Sequence, residues 1–141
     1  MKKLLILVLL FMPLGVFAQD DYTQGTYWTV SGVDTHDGKF DDYITDLNNG
    51  WKKSLDIQIK EGLVVSYKLF GNVNARAGEP NLYLMIEWKS GAAMLDNTQE
   101  YWDDHAKKLW GSREAGEVAG EERGKIRTLM SDVLLREISF K

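Results

Sequence analysis

Apolar residues alternate between two periods along most of this chain. Tyr27 to Val33 is dense in aromatic and β-branched residues, so it predicts a strand. Asp34-Thr35-His36-Asp37-Gly38 breaks it. Phe40, Tyr43, Ile44, Leu47, Trp51 and Leu55 then fall on one stripe at about 100° per residue, the signature of a long amphipathic helix. Asp37 is the natural N-cap, Asp41 and Asp42 suit the positive end of the helix dipole, and Gly62 is a natural stop. Leu63 to Phe70 and Leu82 to Trp88 read as two strands joined by a loop rich in glycine and asparagine and closed by Pro80.

Folding those two strands into an antiparallel pair predicts which side is buried. Leu63, Val65, Tyr67 and Leu69 share a face with Leu82, Leu84, Ile86 and Trp88, and that face is wholly apolar. The opposite face mixes Val64, Ser66, Lys68 and Phe70 with Tyr83, Met85 and Glu87. A second helix follows over Ala92–Leu109, with Met94, Leu95, Thr98, Tyr101, Trp102, His105 and Leu109 on one side. Gly111 to Gly124 is polar and glycine-rich. Glu121 to Met130 can form a third helix, and Asp132 to Phe140 a last strand.

The order β-α-β-β-α-(α)-β is that of an α+β, ferredoxin-like split βαβ domain, a four-stranded antiparallel sheet with helices on one face. The mixed face of the central hairpin then lacks a cover. Burying residues such as Phe70, Tyr83 and Met85 is worth roughly 1.5–3 kcal/mol each. A second copy of the same sheet, meeting it across a two-fold axis, is the simplest cover, so a homodimer is expected.

The aromatic strand Tyr27-Trp28-Thr29-Val30, the turn Asp37-Gly38-Lys39-Phe40, the strand from Leu82 to Trp88 and the closing Asp132-Val133-Leu134-Leu135-Arg136-Glu137 together resemble the dimeric α+β barrel superfamily. Its members include antibiotic-biosynthesis monooxygenase-like and EthD-like proteins. The resemblance is one of pattern over nearly the whole of residues 19–141, and it implies two sheets facing each other in a barrel. It does not fix an activity, because the superfamily includes cofactor-free oxygenases, haem enzymes and small-molecule binders.

The N-terminus adds a compartment. Met1-Lys2-Lys3 is a short positive segment, Leu4 to Phe17 is almost wholly apolar, and Val16-Phe17-Ala18 suits a signal peptidase. The apolar run falls short of the about 20 residues of a spanning helix. Residues 1–18 therefore read as a signal peptide, with residues 19–141 as one exported domain, in a bacterial periplasm or secreted. Residues 19–26 are polar and read as a loose lead-in. There is no cysteine, so neither a disulfide nor a lipidated thiol anchors this domain. Cleavage removes two lysines and no acid, taking the formal charge from −4 to −6. No basic stripe is present, which argues against nucleic acid, and nothing points to a membrane after cleavage.

Candidate chemistry is sparse. No phosphate loop or nucleophile elbow occurs. His36, within Asp34–Asp37, fails the calcium-loop spacing and reads as part of a turn. His105 lies in the middle of an apolar stripe, where an imidazole needs a partner or a ligand. The residues leave three roles open for it: a structural buried histidine, a general base in a pocket, or an axial ligand to haem. Trp28, Trp51, Trp88 and Trp102 all point, on pattern, into the space between sheet and helices, which suits packing and equally suits the walls of a site for a flat apolar ligand. The expectation is a small apolar molecule bound between sheet and helices, without a cofactor. His105 and Tyr67 would be its polar groups, and Trp51, Gln58, Trp88 and Trp102 its lining. The alternative is a cofactor-independent oxygenase using the same pocket.

Overall fold

The computed structural model describes residues 21–141. The signal-peptide reading of residues 1–18 lies outside them. Four strands form one antiparallel sheet: β1 (Tyr22–Thr35), β2 (Val64–Gly71), β3 (Leu82–Trp88) and β4 (Arg127–Phe140), in the order β2-β3-β1-β4. That order is the ferredoxin-like one the sequence predicts. Among the described residues, five helices accompany it: α1 (Phe40–Asn49), α2 (Trp51–Lys60), α3 (Gly91–Leu95), α4 (Gln99–Trp110) and α5 (Arg113–Gly124).

The core lies between α1–α2 and the centre of the sheet. Tyr43 and Leu47 of α1 pack on Val33, Leu82 and Leu84, while Leu55 of α2 packs on Val64 and Trp88. The paired residues set the two faces. Tyr67, Ile86, Thr29 and Leu134 form one row on the helix side, and Lys68, Met85, Val30 and Val133 one row on the outer side.

Several expectations need correction. The lead-in is not loose: β1 begins at Tyr22, because Tyr22–Gln24 pair with Ile138–Phe140. In β2, Val64 is the core residue and Val65 is exposed, since a bulge between Val64 and Ser66 moves the pattern by one position. Trp28 pairs with Glu87 and so lies on the outer face, where the Lys68 ammonium sits 5.4 Å from its ring centroid.

The first helix breaks at Gly50. A Cβ there would come within 2.8 Å of the Arg123 guanidinium and 2.9 Å of the Trp110 ring, so only glycine lets α4 and α5 approach this closely. Lys39, not Asp37, occupies the position before α1, and it makes no side-chain cap. The second helix is two helices, each with its own serine or threonine cap: Ser90 accepts from the Ala93 N–H, and Thr98 from the Tyr101 N–H.

The largest correction concerns the C-terminal third. The helix expected over 121–130 starts earlier, at Arg113, where Ser112 caps it, and ends at Gly124. Residues from Arg127 onward are strand, because the long β1 offers Val33–Thr35 as partners for Arg127–Leu129. The expected turn role of His36 takes a definite form at this junction. Its ring nitrogens lie 2.9 Å from the Lys125 carbonyl and 3.1 Å from the Thr128 hydroxyl, tying the first turn to the α5–β4 corner.

Candidate functional site

The break at Gly50 starts a new helix whose inner stripe is Trp51, Ser54, Leu55 and Gln58, at the i, i+3, i+4, i+7 spacing. Opposite it, α4 presents Trp102, His105, Ala106 and Leu109 at the same spacing. Gly111, at φ 86°, ends α4 in the left-handed region and turns the chain into α5. Gly116 of α5 sits against Trp110, where a Cβ would be 3.1 Å from the indole. Between these three helices lies an open cleft of about 430 Å³, walled by Trp51, Trp102 and Trp110 with Ser54 and His105 in its lining. The cleft lies among helices, whereas the sequence reading puts the pocket between sheet and helices.

His105 is only 5% exposed. Its Nε2 is 2.7 Å from the Ser54 hydroxyl, and the Gln58 side-chain amide donates to the same oxygen at 3.2 Å. Burial holds the imidazole below its usual pKa, and Lys108 adds to this while Glu61 opposes it. The Tyr101 ring stacks on the imidazole and the Trp102 ring meets it edge-on, each at 5.8 Å between centroids. The Tyr101 hydroxyl donates to Glu61 at 2.7 Å, and burial together with that bond raises its pKa well above the usual phenol value. His105 Nδ1 and Gln58 Oε1 are buried without a hydrogen-bond partner among the described residues.

The charges at the cleft are already matched. Arg123 pairs with Asp46 of α1. Arg113 pairs with Glu117 at 2.9 Å and with Asp103 at 3.3 Å.

Tyr67 and Trp88 are not gathered around His105. Tyr67 lines a separate, mainly apolar cleft of about 260 Å³ with Ile44, Leu47, Lys52 and Leu69, and Trp51 is the partition that both clefts share. The Tyr67 hydroxyl donates to Asp56 at 3.1 Å, and Lys52 holds that carboxylate from the other side. Trp88 is a core residue whose indole N–H donates to Thr29 at 3.1 Å. Gln58 is buried behind Ser54. Of the named aromatic residues, Trp51 and Trp102 line the His105 cleft.

An axial haem ligand needs a ring nitrogen directed at open space. Here Nε2 is engaged by Ser54 and Nδ1 is buried, so the residues do not fit haem. Among the described residues no group of three or more acidic or histidine side chains is placed to hold a metal.

Sequence reasoning missed Ser54, Trp110 and Arg123. Ser54 was within reach, since it lies between Trp51 and Gln58 on the same stripe. Trp110 and Arg123 join the cleft only because α5 folds back on α4, and residues 111–124 do not show that turn as an apolar pattern.

No protein-family model matches the sequence, and no curated protein is significantly similar to it. Solved structures are similar in fold. A protein from Shewanella oneidensis matches at TM-score 0.50 and 12% identity, covering 84% of this chain and 98% of that one. A dimeric ferredoxin-like protein from an uncultured marine organism matches at TM-score 0.51 and 12% identity, covering 83% and 90%. Another dimeric ferredoxin-like protein of such origin matches at 0.50 and 10%, covering 83% and 96%. The chain thus has a ferredoxin-like fold, and at these identities the likeness speaks to fold alone.

Proposed function

We propose that this chain is an exported homodimeric domain that binds a small, flat, largely apolar molecule in the cleft between α2, α4 and α5. The observation that carries the reading is the cleft itself. Three indole rings wall it, its volume lies within the roughly 300–1,000 Å³ of small-molecule sites, and a buried histidine–serine pair stands in its lining. Trp102 is 38% exposed in the wall of the cleft, so part of its ring is open to a ligand.

Dimerisation is supported by the outer sheet face, where Phe70, Val133 and Leu135 are exposed beside Val30 and Met85. Export rests on residues 1–18, and N-terminal sequencing of the protein recovered outside the cytoplasm should begin at Gln19.

Naphthalene titrated into ¹⁵N-labelled protein tests the cleft. The indole N–H resonances of Trp51, Trp102 and Trp110 should move while that of Trp88 stays fixed, and Trp102→Ala should weaken binding severalfold. Unmoved cleft indoles, or shifts confined to Trp28, would remove the reading.

A further inference from the structure

We propose that the molecule taken by this cleft is uncharged and carries one hydroxyl or carbonyl group, and that Ser54 is the residue that reads this group. The inference rests on the ligand-binding reading above and specifies the ligand class.

The charge argument comes first. Arg113 and Arg123 both line the cleft, which at first sight suits a carboxylate or phosphate. Both guanidinium groups already have carboxylate partners: Asp46 for Arg123, and Glu117 and Asp103 for Arg113. Asp103 and Glu117 stand in the cleft wall themselves. An entering anion would meet two carboxylates that repel it and guanidinium groups whose charge is already compensated, whereas a cation would find those carboxylates already neutralised. A neutral molecule meets neither penalty.

The second argument concerns the valence of Ser54. A serine hydroxyl has one hydrogen to donate and two acceptor sites. The Gln58 amide fills one acceptor site, and His105 Nε2 engages the hydroxyl at 2.7 Å. When the imidazole proton is on Nδ1, Ser54 donates to Nε2 and keeps one acceptor site. When the proton is on Nε2, the ring donates to Ser54, and the serine O–H is the group left free. Ser54 therefore presents an acceptor in one tautomer and a donor in the other.

In most buried histidines the second ring nitrogen has a partner that fixes the tautomer. His105 Nδ1 has none, so its tautomer is free to follow the ligand. A ligand hydroxyl can donate to Ser54, and a ligand carbonyl can accept from it, at the same place in the cleft. The three indoles supply the flat apolar walls, and Ser54 supplies the single polar point that orients the molecule between them.

Three probes of one shape test this: naphthalene, 2-naphthol and 2-naphthoate, each followed through the cleft indole N–H resonances of the labelled protein. 2-Naphthol should bind about tenfold tighter than naphthalene, the gain of one well-made hydrogen bond. 2-Naphthoate should bind more weakly than 2-naphthol. Ser54→Ala should bring 2-naphthol to the naphthalene level in the same variant, while Ser54→Thr, which keeps the hydroxyl, should retain the preference. Naphthoate binding as tightly as naphthol, or a preference that survives in a folded Ser54→Ala protein, would overturn the proposal. Equal binding of naphthalene and naphthol would overturn it while leaving the cleft as a binding site, and no response to any probe would remove both.

Discussion

Strands β3 and β4 flank the same strand, β1, and both read as apolar in sequence, yet they end in opposite surroundings. On β3, Leu82 and Leu84 are 2% and 6% exposed; on β4, Leu134 and Leu135 are 47% and 49% exposed. The difference lies in what the helices can reach. Helices α1 and α2 lie over β1 and β3, while α5 touches β4 only near its start, where Ile126 packs at the edge of the core. Leu134 is on the helix side and Leu135 on the outer side, so among the described residues β4 lacks cover on both faces. An apolar strand marks a surface that needs cover; the reach of the chain's own helices decides whether the cover comes from within. The remainder is left for a partner.

The largest expected effect separates these two strands directly. On a background made monomeric by Met85→Lys, Leu82→Ala should cost about 2–5 kcal/mol of unfolding free energy, and Leu134→Ala at most about 0.5 kcal/mol. Urea unfolding followed by circular dichroism measures both. Similar costs would mean that β4 is packed within the chain after all.

A smaller effect is expected at the helix break. Gly50→Ala puts a methyl group against Arg123 and Trp110, and overpacking of this kind costs about 1–3 kcal/mol. At φ −112° the backbone itself accepts alanine, so the cost is steric. Combining the change with Trp110→Leu should recover part of it. Strict additivity of the two substitutions in urea melts would contradict the contact.

The smallest effect is a pH dependence. His105 is held neutral by burial, so its pKa in the folded chain lies below the 6.5 of the unfolded one. The unfolded chain then binds more protons as the pH falls, and stability contributed by neutral His105 is complete above about pH 6.5 and declines as the pH drops from there toward the folded value. Protonation of the folded chain removes the acceptor that Ser54 uses, so 2-naphthol affinity should fall at lower pH still, as the folded value is reached. His105→Gln should flatten both profiles below pH 6.5. A slope unchanged in that variant would assign the dependence to another group.

Much of this contrast was legible in the sequence, and its misreadings have common physical causes. Period-2 alternation found the central hairpin and its two faces, because β3 is covered on one side only. The bulge at Val65 reversed the inward residue, and one inserted residue leaves no mark on composition. The 3.6-residue stripe found α1 and α2 as one helix, since hydrogen bonds from Gly50 to Asp46 and from Ser54 to Gly50 carry the ladder through the break. It missed α5, whose surface is mostly polar and which is held by its Ser112 cap and by the packing of Gly116 on Trp110. His105 stood out as a lone imidazole in an apolar stripe. Its serine partner did not, because Ser54 is an ordinary helix residue until α4 is laid against it.

Sedimentation equilibrium of the protein spanning residues 19–141, over a range from below to well above micromolar concentration, tests the uncovered strand and sheet face most directly. A dimer that Met85→Lys, at the centre of the outer face, converts to a folded monomer is the predicted result. A wild-type chain that stays monomeric throughout that range would contradict the account.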